Sequence, residues 1–452
     1  MFGRKLKKQV TSLNTEKVKN YTHFVETPLK IAGCWDWFPN SANDYCTIIN
    51  NFYLCMVLFL LTNVPATLFV NLYTEWGDIM LSLHKVSDCF PFFVSIIIVS
   101  YFGVYKSELY ELVNYMNGHF EYYSAYGLTN MTMLKSYETA KHFAYIYTAC
   151  TMFSVIIYVI PDVINLFKGE PLEHWIYLDA SGPPFSEIVV LRQCFAQVLM
   201  GLAIGQLGVF FASNAILLCG QLDLLCCCLR NVRYTAMLRN GVQHSALAAA
   251  HSDIRTDELY NYIYNRPEMK PSLYNFDQKV NTSFMDKTTR FDIYSSEYDT
   301  ATSAALSECA RVYQIVYTFK EKFEVFISPL LVLRVVQVTL YLCTLLYEAT
   351  SKFDMVTAEY LSAAALDIFV YCYYGNQIIT QAERVPTAAY QCAWHTMGVQ
   401  PRRMLVNMLL ATQRAVVVRA GRFLRMDLHT YVNIIKTSFS YYTLLVNVNE
   451  KN

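Results

Sequence analysis

Charge is scarce in this chain. Acidic and basic residues make up 16% of its 452 residues, whereas 54% are hydrophobic, and its mean hydropathy is positive. An average soluble domain carries about 25% charged residues. This composition therefore excludes an ordinary soluble domain and indicates an integral membrane protein whose surroundings are the lipid bilayer.

Sequence motifs of catalysis are also missing. There is no His-Glu-x-x-His zinc motif, no Gly-x-Ser-x-Gly nucleophile elbow and no glycine-rich phosphate-binding loop. We therefore predict that the protein is not an enzyme and uses no cofactor or metal. We expect no nucleic-acid partner.

Apolar runs of about 20 residues, long enough to span a bilayer, recur along the chain. The sequence predicts seven transmembrane helices, at 48–72, 79–104, 142–166, 188–220, 324–347, 359–381 and 428–448. The predicted fold class is thus an all-α membrane protein. We divide it into a cytoplasmic segment (1–47), helices one to four (48–230), a cytoplasmic loop (231–317), helices five and six (318–382), cytoplasmic anchor helices (383–427), and helix seven with a short tail (428–452).

The distribution of Lys and Arg predicts the orientation, because basic residues are retained on the cytoplasmic side. They are abundant before the first span and after the second, fourth and sixth, whereas the other connections contain Lys168 and Lys352. The N-terminus is therefore predicted inside and the C-terminus outside. This is opposite to G-protein-coupled receptors, and the Asp-Arg-Tyr and Asn-Pro-x-x-Tyr motifs of those receptors are missing as well. The predicted outer loops contain none of the 14 cysteines, which excludes a disulfide there.

Two cytoplasmic connections differ in pattern. Residues 231–310 are polar with little helical periodicity, which favours a partly disordered loop, and a docking role for a partner is the alternative. In the 383–427 connection, the apolar spacing of Met404, Leu405, Met408 and Leu409, followed by Val416–Val418, predicts helix that continues below the membrane into span seven.

Several predicted spans contain ionisable groups or glycines. Arg192, Arg334 and Asp367 are candidates for function, with structural pairing or a place near water as the alternatives. Gly201, Gly205 and Gly208 in span four form a small-residue surface, for which close helix packing is a better explanation than a ligand. Cys226, Cys227 and Cys228 lie at the inner end of that span, where lipidation and simple burial are both open.

The stretch YCYYGNQIITQAERVPTAAYQCAW, at 371–394, and TSFSYYTLL, at 437–445, resemble the C-terminal signature of insect odorant receptors. The chain resembles an odour-tuning subunit rather than the shared coreceptor. The related gustatory receptors have a Thr-Tyr pair, then five intervening residues, then Gln-Phe. Here Thr430-Tyr431 is followed at that spacing by Thr437-Ser438, which argues against that branch. Glu383 and Val416 depart from the odorant receptor pattern, and both lie in the predicted anchor region.

The resemblance implies a subunit of a ligand-gated, non-selective cation channel, in a heterotetramer with the odorant receptor coreceptor. The expected location is the plasma membrane of olfactory sensory neurons, and the expected ligand is a small volatile molecule. A gustatory-type channel and a secondary transporter are the alternatives; a transporter would show internal repeats, which the sequence lacks.

The polar residues of the last span predict that one of its faces meets water or protein. Helical spacing places Ser440, Leu444, Asn447 and Val448 on one face. By resemblance, Leu444 and Val448 correspond to a hydrophobic gate that blocks ions by dewetting. Ordinary packing residues are the alternative.

By the same resemblance, the odorant pocket lies in the outer half of the bundle between spans two, three, four and six. A pocket for volatile ligands should be mostly aromatic and aliphatic, with one or two hydroxyl groups. The candidates at that depth are Leu83, Ser87, Thr151, Ser154, Tyr158, Phe195, Tyr360 and Ala364.

Overall fold

A computed structural model describes residues 20–39, 44–74, 79–121, 133–168, 185–243, 246–247, 291–351, 355–414 and 416–449. At some helix ends it describes the backbone alone, and these residues include Leu83, Ser87, Leu444, Asn447 and Val448. Residues 248–290, the middle of the predicted 231–317 loop, lie outside the described residues.

The described part of the chain is almost entirely helical. In chain order, the helices are α1 (His23–Ile31), α2 (Asp44–Thr74), α3 (Ile79–Val104), α4 (Lys106–His119), α5 (Leu134–Lys168), α6 (Phe185–Arg230), α7 (Val232–Arg239), α8 (Asp299–Ser351), α9 (Met355–Tyr390), α10 (Val399–Thr412) and α11 (Leu428–Asn449). Short 3₁₀ turns cover Ser296–Tyr298 and Trp394–Thr396, and a hairpin pairs β1 (Arg419–Ala420) with β2 (Leu424–Arg425).

Each of the seven predicted spans lies within one of these helices, and several helices extend further. The helix that contains span five begins at Asp299 rather than near 318. The helix of span four continues to Arg230. Proline does not end the helices of spans one and two, because Pro65 lies inside α2 and Pro91 lies inside α3.

Four of the described helical segments are long and apolar enough to cross a membrane: Asp44–Thr67, Leu134–Ile160, Glu187–Arg230 and Ser296–Tyr347. A fifth is added if Cys89–Val104 and Lys106–His119, which meet at an angle of 69°, form one span. The protein is therefore an all-α membrane protein by its described helices. The count of seven spans stays a prediction, because α9 and α11 are not among those segments.

Helix α6 forms the centre of the bundle. In its apolar stretch 89% of the residues are buried, against 17% for α2 and 11% for α5. Edge-on aromatic contacts join it to its neighbours: the ring of Phe210 lies 6.0 Å from Phe102 of α3 and 6.1 Å from Phe326 of α8. α2 and α5 thus leave apolar surface on the outside, as a bilayer requires.

The predicted helix through Val416–Val418 is wrong. These residues are extended and lead into the β1–β2 hairpin. Gly421 and Arg422 at its turn have φ values of +61° and +68°, a left-handed conformation that ends any helix there. Three consecutive β-branched residues favour extended backbone for the same steric reason.

Candidate functional site

A cavity of about 520 Å³ opens among α5, α6, α8 and α9, with Pro91 of α3 at its edge. Its lining is mostly apolar and aromatic. It comprises Pro91, Tyr147, Cys150, Thr151, Phe153, Ser154, Val155, Tyr158, Met200, Gly201, Ile204, Gly205, Arg334, Gln337, Val338, Tyr341, Glu359, Tyr360, Ser362, Ala363, Ala364, Leu366 and Asp367. Its volume lies within the usual range of small-molecule pockets, about 300–1,000 Å³.

Five of the eight predicted pocket residues share this lining: Thr151, Ser154, Tyr158, Tyr360 and Ala364. The first three lie one helical turn apart on α5 and face α9, where the rings of Tyr158 and Tyr360 lie 5.6 Å apart. The other three predicted residues, Leu83, Ser87 and Phe195, are not part of this described lining.

Phe195 does not line the cavity. It lies on the outer surface of α6, and 56% of its side chain is exposed. Leu83 and Ser87 belong to α3, whose side chains are undescribed at those positions. The contribution of these three residues to a binding site therefore stays a prediction.

Helix α8 supplies a wall of the cavity that the sequence reasoning did not include. Arg334 of α8 pairs with Asp367 of α9, and their side chains are 3% and 10% exposed. Arg334 also donates to Gln337, and the Tyr147 hydroxyl donates to Asp367 Oδ1 at 3.1 Å. Of the alternatives left open for these charges, the structure shows pairing, at the wall of a cavity. Both residues are ionisable groups within predicted spans, and this feature could have indicated from the sequence that α8 contributes to the cavity.

A second polar contact lies nearer the Tyr158 end of the cavity. Ser154 Oγ donates to Glu359 Oε1 across the gap between α5 and α9. The other carboxylate oxygen, Glu359 Oε2, is buried and has no hydrogen-bond partner among the described residues. Residue 359 was not singled out from the sequence, because a glutamate near a helix end is usually solvated.

The glycines of span four allow α5 to approach α6 closely. A Cβ atom at Gly201 would overlap Val155, and one at Gly205 would lie 2.7 Å from Thr151. At Gly208 the nearest atom would be Tyr147, at an ordinary 3.5 Å. Gly201 and Gly205 thus pack closely against α5, as predicted, and both also line the cavity. The same close approach brings Thr151 and Val155 to the cavity wall.

Helix α11 packs on α8 with one face and leaves the other open. Ile434 and Ser438 are buried, and Ser438 Oγ donates to the carbonyl oxygen of Thr339 at 3.3 Å. The exposed positions include a polar set: Asn433, Lys436, Thr437, Ser440 and Thr443. Among the predicted gate residues, Ser440 belongs to this face, whereas the side chains of Leu444, Asn447 and Val448 lie outside the description.

All 14 cysteines are free. Cys226 and Cys227 are buried, which disfavours lipidation at both positions, and Cys228 is partly buried. Just after the end of α9, burial raises the pKa of the Cys392 thiol to about 12, so this thiol is protonated at neutral pH. Among the described residues, no group of three His, Cys, Asp or Glu side chains forms a candidate metal site.

The fold and the cavity define an all-α membrane protein with room for a small molecule within its helix bundle. The family model described as 7tm Odorant receptor matches residues 89–439, which is most of the chain. The protein therefore belongs to the odorant receptor family, and the gustatory and transporter alternatives are set aside.

Curated relatives extend over nearly the whole chain. Odorant receptor 85e of Drosophila melanogaster is 22% identical over 421 residues, which cover 90% of this chain and 87% of that protein. Odorant receptor 83a of the same species is 21% identical over an alignment that covers 84% of this chain and 82% of that protein. The odorant receptor coreceptor of Anopheles gambiae is 24% identical over 126 residues, or 27% of this chain and 26% of that protein.

Solved structures share the fold. The olfactory receptor OR5 from Machilis hrabei superimposes with a TM-score of 0.69 at 15% identity, and covers 94% of this chain and 97% of that chain. The same receptor in complex with eugenol gives a TM-score of 0.69 at 14% identity, with 95% and 99% covered.

Proposed function

We propose that this protein is the odour-tuning subunit of a ligand-gated, non-selective cation channel that it forms with the odorant receptor coreceptor. It acts in the plasma membrane of olfactory sensory neurons, with its N-terminus in the cytoplasm. The α5–α6–α8–α9 cavity binds small volatile molecules, and α11 lines the pore. Membership of the odorant receptor family and the largely apolar cavity support this proposal.

The cavity is the observation that supports ligand binding. Its aromatic and aliphatic lining offers burial to a volatile molecule, and Thr151, Ser154 and Tyr158 offer hydroxyl groups for orientation. The eugenol complex of the structurally similar Machilis hrabei receptor shows that this fold can hold a small aromatic molecule. Leu83, Ser87 and Phe195 stay candidates for contacts outside the described lining.

The open face of α11 supports the pore-lining part. Asn433, Lys436, Ser440 and Thr443 recur at intervals of three and four residues, which places them along one face. Asn447 continues this spacing, and Leu444 and Val448 lie beside it as the proposed gate. Because the core of a single chain does not use this face, four subunits around an axis could direct it at ions.

The two sites share a neighbour in α8. Gln337, Val338 and Tyr341 line the cavity, while the carbonyl of Thr339 accepts the hydrogen bond from Ser438 of α11. A ligand with higher affinity for the open arrangement would shift the closed–open equilibrium by that difference in binding free energy. We propose α8 as the connection, on the basis of this shared contact.

Whole-cell recording tests the proposal. Cells expressing this chain with the coreceptor should give odour-evoked cation current without an added G protein, and cells with either chain alone should not respond to the same odorant. Ser154→Phe, which fills the cavity, should shift the dose response by at least about tenfold, since a filled pocket removes several kcal/mol of contact.

Ile156→Phe is the matched control. It enlarges a side chain on the same helix, but Ile156 is 54% exposed and does not line the cavity. Equal dose responses for both variants and the unmodified receptor, across a broad panel of volatiles, would reject the cavity as the binding site.

A further inference from the structure

The cavity contains more acidic than basic groups. Its described lining includes two carboxylates, Glu359 and Asp367, and one guanidinium, that of Arg334. Arg334 is already paired with Asp367, and the Tyr147 hydroxyl donates to the same carboxylate. One end of the cavity is therefore neutral, and Glu359 is left without a cationic partner among the described lining residues.

The hydrogen bonding of Glu359 is incomplete. Ser154 Oγ donates to Oε1, while Oε2 is buried and meets no hydrogen-bond partner in the part of the chain that the structure describes. A buried carboxylate with an unsatisfied oxygen is costly, because nothing replaces the water that it has lost. In a membrane-embedded site such a group is stabilised by a cation that enters with the ligand.

Aromatic rings line the same cavity as this carboxylate. Tyr360 is its neighbour in sequence, and the Tyr158 ring lies 5.6 Å from the Tyr360 ring at an interplanar angle of 60°. Tyr341 of α8 lines the same cavity. A cavity that contains both a carboxylate and aromatic rings suits an ammonium group, which donates a charge-assisted hydrogen bond to the carboxylate and gains cation–π attraction from the rings.

We propose that Glu359 makes this cavity a site for small volatile amines, bound as the ammonium form. The ammonium donates to the Glu359 carboxylate, the Tyr158 and Tyr360 rings flank it, and the apolar body of the ligand packs between α5, α6 and α8. The inference rests on the proposed function, because it names the chemical class of ligand for the same cavity.

The test compares two probes of nearly equal shape, 2-phenylethylamine and 2-phenylethanol. Binding is measured as the shift in melting temperature of the detergent-purified complex with the coreceptor, and gating as whole-cell current. The amine should bind the unmodified receptor at least about tenfold more tightly than the alcohol, as expected for one charge-assisted contact.

Glu359→Gln should remove this preference, so that the amine binds no more tightly than the alcohol, because glutamine keeps the shape and the acceptor for Ser154 without the charge. The matched control is Glu138→Gln, since Glu138 is exposed on the same helix as Ser154, far from the cavity. It should bind both probes as the unmodified receptor does.

The outcomes separate this inference from the proposed function. Amine binding that depends on Glu359 but evokes no current would support the inference and contradict the proposed channel function. Current evoked by the alcohol, with no preference for the amine, would overturn the inference and leave the proposed function intact. Failure of the amine to bind, or the same loss in Glu138→Gln, would also overturn the inference.

Discussion

Arg334 of α8 and Asp367 of α9 form an ion pair within the helix bundle, at the wall of the cavity. Neither residue faces lipid, and the surrounding hydrogen bonds from Tyr147 and to Gln337 satisfy part of what water would supply. A pair of this kind fixes the relative position of two helices that both contact α11. It therefore links the geometry of the cavity to that of the proposed pore helix.

Removal of one partner should be more harmful than removal of both. Asp367→Asn leaves the Arg334 guanidinium buried without its counter-ion, which costs about 3–5 kcal/mol in buried pairs. We expect a large drop in the melting temperature of the purified protein and in surface expression. The double variant Arg334→Met, Asp367→Leu should recover most of this loss, and a double variant less stable than the single one would contradict the argument.

Arg233 links α7 to the segment at 293–299 and to the turn at Thr396. Its side chain is fully buried and donates to Asp299 Oδ1 at 2.9 Å, to the carbonyls of Ile293 and Ser295 at 2.8 Å, and to that of Thr396 at 3.0 Å. Arg233→Met should leave these acceptors unsatisfied, at about 1–3 kcal/mol for each buried group. We expect faster proteolysis near 291–302 and a lower melting temperature.

Arg239→Met is the control for this prediction. Arg239 belongs to the same helix and pairs with Glu308 at 2.7 Å on the surface. An exposed pair of this kind contributes about 0–1 kcal/mol. Similar melting temperatures for the two methionine variants would show that Arg233 does not hold these segments together.

Gly375 of α9 permits the closest backbone approach to the segment that leads into α11. A Cβ atom at this position would overlap the carbonyl oxygen of Met426, and backbone cannot move aside as a flexible side chain can. We expect Gly375→Ala to displace the start of α11 and to abolish ligand-evoked current, measured by whole-cell recording at matched surface expression.

Gly118→Ala provides the comparison. A Cβ atom at Gly118 of α4 would meet no atom within 4 Å. Alanine is favoured over glycine in helices by about 0.5–1 kcal/mol, so this variant should be as stable as the unmodified protein and should conduct normally. Normal current from Gly375→Ala would disprove the requirement for close contact.

Lys436 places a positive charge on the open polar face of α11. If this face lines the pore, the ammonium group repels cations and does so twice as strongly for divalent as for monovalent ions. We expect Lys436→Gln to raise the permeability of calcium relative to sodium, measured from reversal potentials. Lys106→Gln, on α4, should not change it, and equal ratios in all three receptors would exclude Lys436 from the ion path.

The sequence was most informative where one local pattern is sufficient. Apolar runs placed the helices, since length and hydropathy are local properties, and the motifs at 371–394 and 437–445 pointed to the family. Polar residues spaced along 433–443 predicted an open face of the last helix. The spacing of Thr151, Ser154 and Tyr158 predicted that they share a surface, and the structure places all three at one cavity.

Local sequence patterns could not reveal contacts between residues that lie far apart in the chain. Arg334 and Asp367 were both noticed, but their spacing of 33 residues says nothing about a contact. The Val416–Val418 prediction failed because apolar spacing is ambiguous over short runs, and the turn at Gly421 and Arg422 decided the conformation. Phe195 satisfied the expected depth, yet its position on the helix circumference directs it outward.

By itself, the sequence determined that the protein is helical, lies in a membrane and belongs with odorant receptors, because composition, apolar length and short motifs are properties of the chain alone. Tertiary structure decided which polar groups compensate one another. It paired Arg334 with Asp367, buried Arg233 among carbonyl groups, and left one oxygen of Glu359 without a partner among the residues that the structure describes. The charge balance of a cavity depends on which side chains meet in space, and only the packed helices determine that.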